Sequence, residues 1–443
     1  MKLGKVEKVS IRYTLLKIYG KLIHDIFFYK KVTYIGIENI PHDKPVLIAP
    51  NHQNALMDAL AIIYAQKGKQ PVFLARSDIF KNSFIAKMLF FLKILPVFRL
   101  RDGKEKLKMN ELIYEKTIEV LENKRQVVIF PEATHIDKRH VRELKKGIQR
   151  IAFMLEEKHH FKAGVVIIPC GIYYSNYWNF RSKLLVKFGK PIGLESYFED
   201  YKKDPAKTIF KFTDELHAKI KELVIHIEDL NYHYEYDLLT DICDTKIAED
   251  LGISLKRGGK LMVDQTIVKI ADTLKSSDFS RFENLMQKVK TYGEKLKEYK
   301  IKDHVVENSE KNNLIFFRSL FMLILLPVFL YGYINNFIVY RLPGLIIGKL
   351  KDRQFESSVK YGLSIFIFPI VYLIQAVAVF FIFKSWLITL AYFITLPIFG
   401  LIAFNIHRIY VKTIARFRFK FRMRRENVSD FTGMRSEIIA LIK

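Results

Sequence analysis

A histidine and an aspartate six positions apart, His52 and Asp58, are the strongest chemical signal in this sequence. An imidazole titrates near neutral pH and can take a proton from an attacking hydroxyl group. A carboxylate beside it fixes the tautomer of the ring and stabilises the imidazolium that forms. No Gly-x-Ser-x-Gly sequence lies near the pair, so the hydroxyl would belong to a substrate and the reaction would be direct acyl transfer. The alternative is an exposed loop histidine and a solvated or helix-capping aspartate.

The elements around the pair predict where it lies. An apolar run at residues 46–50 indicates a buried strand, and the run from Ala55 to Ala65 indicates a buried helix. Six positions along a continuous helix would place two side chains about 120° apart. We therefore expect His52 in the turn before the helix and Asp58 inside it.

Three further blocks follow the same plan of an apolar strand with polar or turn residues at its end. Residues 95–102 predict a short strand that ends in Arg99 and Arg101. Residues 127–135 predict a strand that ends in a turn with Glu132, Thr134 and His135. Residues 165–171 predict a third strand, which contains a proline.

In this order and spacing the four blocks resemble the motifs of the glycerolipid acyltransferase family, the 1-acylglycerol-3-phosphate and lysophospholipid acyltransferases. Members carry Asn-His-x4-Asp, then Gly-x5-Arg, then Phe-Pro-Glu-Gly-Thr-Arg, then a proline-containing strand. The resemblance covers about residues 30–195. It implies that His52 is the general base and that Asp58 orients it.

The resemblance also implies a set of substrate-binding residues: Arg99, Arg101, Glu132, Thr134, His135 and Lys146. Arg99 matches the family arginine and would hold a phosphate, because a guanidinium offers a fork of donors. Arg101 lies two residues further along, at the end of the same predicted strand, and for this residue a solvated surface position is an equally good explanation. Glu132 would contact the acceptor hydroxyl, and its alternative is a helix N-terminal acid that favours the dipole.

Three positions and one spacing depart from the family pattern. Five residues separate His52 from Asp58, as in some glycerol-3-phosphate and dihydroxyacetone-phosphate acyltransferases. Lys93 and Ala133 stand where the motifs have glycine, and a positive φ at Ala133 would cost about 1 kcal/mol. His135 replaces an arginine and removes a permanent cation, for which nearby basic residues could compensate: Lys138, Arg139, Arg142, Lys145 and Lys146.

Composition favours an anionic partner. The 443 residues include 72 Lys and Arg against 46 Asp and Glu, a net charge of +26. Such a charge suits phospholipid surfaces, nucleic acid or phosphorylated substrates. Half of the residues are apolar and several apolar runs are long, so we expect a membrane and no nucleic acid. The two cysteines, Cys170 and Cys243, predict no disulfide framework and no zinc site, and no signal-peptide pattern opens the sequence.

The pattern of elements predicts an α/β acyltransferase domain with a mostly parallel sheet flanked by helices, then a helical region and C-terminal transmembrane helices. We expect an amphipathic interface helix at 1–31, the α/β domain at 32–200 and a charged helical region at 201–313. A membrane region would occupy 314–410, and a basic cytoplasmic tail 411–443. Within the membrane region, 361–383 and 385–406 predict a spanning hairpin, and 319–340 a broken or re-entrant segment.

Together these features predict an integral membrane acyltransferase with its catalytic domain on the cytoplasmic face. It would move a fatty acyl group from acyl-CoA or acyl-carrier protein to a lysophosphatidate-type acceptor, without a cofactor. One alternative is a glycerol-3-phosphate or dihydroxyacetone-phosphate acyltransferase. The other is a non-catalytic lipid-binding membrane scaffold. The sequence does not separate these acceptors, name the acyl donor or give the oligomeric state.

Overall fold

The protein is described by a computed structural model that covers residues 6–98, 108–308, 315–350, 352–423 and 429–442. The chain forms two compact units. The first comprises Met1–His226 together with Asp352–Ser358, and the second comprises Ile227–Lys351 and Val359–Lys443. Arg99 and Arg101 lie outside the described residues.

The first unit is built on one sheet of eight strands. In chain order these are β1 (Lys31–Ile35), β2 (Val46–Pro50), β3 (Val72–Arg76), β4 (Ile94–Val97), β5 (Gln126–Ile129), β6 (Val166–Tyr174), β7 (Lys183–Phe188) and β8 (Ile192–Gly193). Their spatial order is β1-β7-β6-β2-β5-β3-β4, with β8 beside β6. Only the pairs β6–β7 and β6–β8 are antiparallel among the described strands. The predicted mostly parallel sheet is therefore confirmed.

Helices cover the sheet. They are α1 (Ile11–Leu22), α2 (Ala55–Ala65), α3 (Ser83–Phe91), α4 (Met109–Glu122), α5 (Gly147–Lys158), α6 (Phe198–Lys203) and α7 (Pro205–Lys221). The centre of β2 is inaccessible to solvent on both faces, which is typical of a central parallel strand between helical layers. Helix α3 begins at Ser83, because the side chain of Asn82 accepts hydrogen bonds from two following amides and caps its start.

A helical bundle belongs to the second unit. It contains α8 (His233–Asp250), α9 (Gly259–Ser277), α10 (Phe279–Glu298), the short α11 (Asp303–Glu307) and, from the C-terminal part, α17 (Ser429–Leu441). An apolar stripe on α10 is buried from Phe282 to Leu296. Within the charged helical region that the sequence predicts, three long helices pack together, and α17 packs against them. Arg435 of α17 donates to the buried carboxylate of Asp303 at 3.0 Å.

The apolar helices of the second unit are α12 (Ile315–Ile324), α13 (Leu326–Asn335), α14 (Phe337–Ile347), α15 (Glu356–Phe383) and α16 (Trp386–Met423). Two stretches, which coincide largely with α15 and α16, are long and apolar enough to cross a membrane. The helices over 317–324 and 326–335 are bent by 54° at their junction, as in a broken span or a re-entrant loop. Cys170 and Cys243 are both free and buried.

Candidate active site

The candidate site lies where the parallel strands β2, β5 and β6 end side by side. Val46 to Ile48 of β2 pair with β5, and the whole of β2 pairs with β6. Because the carboxyl ends of parallel neighbours meet at one sheet edge, the loops that follow them converge. The loop after β2 carries His52 and the turn after β5 carries Glu132. The end of β6 supplies Tyr174.

His52 and Asp58 form a direct hydrogen bond. Nδ1 of His52 lies 2.9 Å from Oδ2 of Asp58. The carboxylate is fully buried, whereas the imidazole keeps 15% of its surface exposed. His52 lies in the turn before α2 and Asp58 in the first turn of that helix, as the spacing required. A carboxylate accepts, so Nδ1 carries the proton and Nε2 is left as the proton acceptor.

The five-residue spacing is accommodated at the start of α2. Ala55, the first residue of the helix, has a φ of 43°, in the left-handed region. This conformation is unfavourable for a residue with a side chain. It allows the loop to turn sharply into the helix, so the His52 and Asp58 side chains still meet.

Asp58 is held by four donors. Its Oδ2 accepts from His52 and from the backbone amides of Gln53 and Asn54, each of the amides at 2.7 Å. Its Oδ1 accepts from the hydroxyl of Tyr174 at 2.8 Å. Burial, and then the charge of Asp58, raise the pKa of Tyr174 well above its usual value, so this hydroxyl remains a donor. The aspartate is therefore fixed in one orientation.

Glu132 connects two loops through its carboxylate. Oε1 accepts from the amide of His52 at 2.7 Å and Oε2 accepts from the amide of Arg142 at 2.9 Å. The residue is only 2% exposed. Burial raises the pKa of Glu132 to about 7, although the two amides oppose the shift. No helix begins within residues 131–146, so the helix-dipole alternative is wrong. The geometry is that of a residue that positions the His52 loop.

Aromatic rings surround the imidazole of His52. The ring of Phe130 stacks on it at a centroid distance of 4.2 Å. The ring of His135 meets it edge-on at 5.2 Å. Burial, followed by the charge of His52, lowers the pKa of His135. At neutral pH His135 is therefore a neutral ring beside the catalytic candidate, and it does not replace the charge of the motif arginine.

Both positions where the family has glycine adopt a left-handed backbone. Ala133 has a φ of 59° and Lys93 a φ of 62°, so the strain anticipated at Ala133 is present. Lys93 is 4% exposed, and its ammonium group donates to the carbonyl groups of Val6, at 2.6 Å, and Lys8. Lys93 thus anchors the segment that precedes α1.

The remaining predicted site residues are placed differently. The hydroxyl of Thr134 accepts from the guanidinium of Arg142, which brings one of the compensating cations to the third motif. Lys146 lies at the start of α5 with its ammonium group 5.3 Å from the ring centre of Phe210. That contact directs Lys146 to α7 rather than to the His52 cluster.

Several positioning residues were missed in the sequence. Asn51, which is fully buried, extends the pairing of β2 with β6 by bonding both ways to the backbone of Ile172, at 2.7 and 3.2 Å. Tyr177 donates to the side chain of Gln53 at 2.8 Å. Asn51 and Gln53 are the sequence neighbours of His52, and this proximity could have indicated a role for them. Tyr174 and Tyr177 carried none, because their roles depend on a fold that joins distant segments.

The backbone amides of the turn that carries His52 already donate hydrogen bonds within the protein. Those of His52, Gln53 and Asn54 donate to the carboxylates of Glu132 and Asp58. These three amides are therefore not available to stabilise an oxyanion, and that role would need other donors. Within the described ranges, no three His, Cys, Asp or Glu side chains are grouped closely enough to hold a metal ion.

Comparisons with known proteins find acyltransferases that are similar to this chain. Residues 31–173 match the model of the acyltransferase family. Glycerol-3-phosphate O-acyltransferase 1 of Saccharomyces cerevisiae is 26% identical over 249 residues, which cover 50% of this chain and 29% of that protein. The 1-acyl-sn-glycerol-3-phosphate acyltransferase of Borreliella burgdorferi is 29% identical over 156 residues, which cover 35% of this chain and 56% of the relative.

Among solved structures, the 1-acyl-sn-glycerophosphate acyltransferase of Thermotoga maritima is 23% identical, with a TM-score of 0.35. The match covers 48% of this chain and 79% of that one. The chain spans less than a third of the length of the yeast relative. The match of residues 31–173 to the acyltransferase family model agrees with the resemblance that the four motifs indicated.

Proposed function

We propose that this chain is a membrane-bound O-acyltransferase that moves a fatty acyl group from a thioester donor to a hydroxyl of a glycerophosphate-type acceptor. The observation that carries the proposal is the His52–Asp58 hydrogen bond of 2.9 Å, with the carboxylate buried and the imidazole partly exposed. This arrangement leaves one ring nitrogen able to accept a proton, as general-base catalysis requires.

The proposed mechanism uses His52 twice. Nε2 takes the proton of the acceptor hydroxyl while its oxygen attacks the thioester carbonyl carbon. Asp58 stabilises the imidazolium that results. When the tetrahedral intermediate collapses, the new C–O bond remains and the C–S bond breaks. The departing thiolate receives the proton from His52, which returns to its starting state.

The proposal also names candidates for the acyl acceptor and the acyl donor. A lysophosphatidate-type acceptor is the first candidate, because the motifs resemble those of 1-acylglycerol-3-phosphate acyltransferases and the relative from Borreliella burgdorferi carries a name of that kind. Glycerol 3-phosphate is the second candidate acceptor, because two yeast relatives are named glycerol-3-phosphate O-acyltransferases. Acyl-CoA or acyl-carrier protein would serve as donor, and the chemistry above requires no cofactor.

Membrane attachment is proposed from two features. Two stretches in the α15 and α16 region have the length and apolar character of spanning helices. In the first unit, α1 and the turn after it expose an apolar stripe that suits an anionic lipid interface. This stripe consists of Ile11, Leu15, Ile18, Leu22 and Ile26. Basic residues flank the predicted hairpin 361–406 on both sides, which favours a cytoplasmic catalytic domain.

An acyl-transfer assay on membranes tests the function. Labelled acyl-CoA would be offered with glycerol 3-phosphate and with lysophosphatidate, using wild type, His52→Ala and the matched control His42→Ala, an exposed histidine. We expect transfer to one acceptor, lost only in His52→Ala. Equal transfer by His52→Ala would falsify the mechanism, and lipid binding without any turnover would support the scaffold alternative.

Labelling tests the topology. A cysteine placed at Asn335, in the bent apolar segment, should react only with reagents on the cytoplasmic side if the segment is re-entrant. A cysteine at Lys349 serves as the reference for that side. Labelling of position 335 from the outer face alone would contradict the re-entrant arrangement.

A further inference from the structure

A short segment that is distant in sequence belongs to the catalytic unit. Asp352–Ser358 clusters with Met1–His226, although the residues on either side belong to the second unit. It comprises a single 3-10 turn, Arg353–Phe355, and the first residues of α15. The first turn of an apolar helix is therefore part of the unit that carries His52.

The segment reaches the ring next to His52. The side chain of Phe355 meets His135 edge-on at a centroid distance of 5.4 Å, with an interplanar angle of 83°. His135 in turn meets His52 edge-on at 5.2 Å. Phe355 nevertheless remains 42% exposed. An apolar ring with exposed surface thus lies one side chain away from the catalytic candidate, beyond His135.

Asp352 approaches the same histidine and shapes the segment. Its carboxylate lies 4.0 Å from Nε2 of His135. It also accepts from the amide of Gln354 at 2.9 Å, which caps the turn that presents Phe355. Both side chains of the segment that face the site therefore converge on His135, the residue that stands in place of the motif arginine.

Two anchors hold the segment against the catalytic unit. The guanidinium of Arg353 lies 4.0 Å from the ring centre of Trp178, a cation–π contact. The hydroxyl of Ser357, which is 2% exposed, donates to the carbonyl of Tyr177. That carbonyl also accepts from the side chain of Asn54, at 3.1 Å, in the loop that carries His52. The anchors therefore tie the segment to the loop of the catalytic histidine.

We infer that residues 352–358 form one wall of the acceptor site and that Phe355 is a positioning residue for the acceptor. The inference rests on the proposed function. The hydroxyl to be acylated must meet Nε2 of His52, so side chains around that ring and its neighbour His135 border the acceptor. The catalytic domain alone then lacks a complete site, because this wall is delivered by a segment that follows the first apolar region.

Docking of the segment can be tested without activity. The sequence has two tryptophans, Trp178 and Trp386, so Trp386→Phe leaves Trp178 as the only tryptophan, whose emission can be excited selectively over that of tyrosine. In that background Arg353→Ala should shift the Trp178 emission to longer wavelength, because water replaces the guanidinium above the ring. Gln354→Ala, in the same turn, should leave the emission unchanged. An unchanged spectrum in Arg353→Ala would show that the segment is not docked and would overturn the inference.

Kinetics of Phe355 variants test the role in acceptor binding. Phe355→Ala should raise the acceptor KM about threefold to tenfold, the range expected for loss of an aromatic pair. The donor KM and kcat should stay within about twofold, Phe355→Tyr should restore the acceptor KM, and Gln354→Ala should match wild type. An unchanged acceptor KM in Phe355→Ala, with active wild type, would refute this inference alone. Wild type inactive towards both acceptors would instead refute the proposed function on which it rests.

Discussion

The hydroxyl of Tyr174 donates to Oδ1 of Asp58 across 2.8 Å, and both side chains are buried. The two residues lie in different elements, at the end of β6 and in the first turn of α2. The bond leaves Oδ2 of Asp58 for His52 and for two backbone amides. Tyr174 therefore helps to hold the carboxylate with one oxygen directed at the imidazole.

Tyr174→Phe should lower kcat about tenfold, a loss of about 1.4 kcal/mol of transition-state stabilisation, because Asp58 loses the donor that fixes its orientation. Stability should fall by about 1–3 kcal/mol, since a buried carboxylate oxygen is left with one partner fewer. Steady-state acyl-transfer kinetics measure the first effect and thermal unfolding the second. Tyr173→Phe, on the opposite face of β6, is the control. Equal kinetics for both variants would contradict the orienting role.

Glu132→Gln should reduce acyl transfer strongly even though the side chains are nearly isosteric. Both carboxylate oxygens accept from backbone amides, and an amide side chain would point its NH2 group at one of those donors. The His52 loop would then be displaced, and a small misplacement of a catalytic group is costly. Glu143→Gln, an exposed change in the same loop, should be neutral. Wild-type kcat in Glu132→Gln would rule out a positioning role.

The pH dependence of stability should carry the signature of Glu132. Its pKa is raised from 4.5 to about 7 in the folded protein, mainly by burial. Between these values the native state binds more protons than the unfolded state, so the free energy of unfolding falls as pH rises. The contribution is complete below pH 4.5 and is lost above about pH 7, a change of about 3 kcal/mol. Thermal unfolding across this range should show a smaller slope for Glu132→Gln than for wild type, and identical slopes would refute the assignment.

Ala133→Gly should stabilise the protein by about 0.5–1 kcal/mol. Ala133 has a φ of 59°, where glycine avoids a steric cost that exceeds its extra loss of chain entropy. The opposite sign is expected for Ala86→Gly in α3, because that residue is helical. Midpoints of denaturant unfolding for the two variants measure the difference. A destabilised Ala133→Gly would mean that the left-handed conformation carries no strain.

Asn336→Leu should destabilise the apolar part of the second unit by about 1–2 kcal/mol. The side chain of Asn336 is 1% exposed, donates to the carbonyl of Leu396 at 3.0 Å and accepts from the hydroxyl of Tyr372 at 2.6 Å. It therefore links α15 and α16 at the break between α13 and α14. Thermal unfolding in detergent should show the loss, whereas Ile338→Leu, at an exposed position, should behave as wild type.

The sequence alone predicted the features that depend on interactions between residues close together in the chain. Strands such as β2 and helices such as α2 could be predicted from apolar runs, because burial and periodicity are visible in short stretches of sequence. The His52–Asp58 pair could be placed for the same reason: strand, turn and helix are consecutive. The bend in the apolar segment was anticipated from Pro327 and the asparagines near it.

The partners that fix the pair were decided only by tertiary structure. Tyr174, Arg142 and Phe355 reach the site from β6, from the loop after β5 and from a segment beyond the first apolar helices. Each contact depends on the order of the strands in the sheet or on a distant segment that packs back onto the first unit, and no local sequence pattern predicts either. Glu132 shows the division most clearly. The sequence placed an acid at the end of β5, and the fold surrounded it with backbone amides and thereby made it a support for His52.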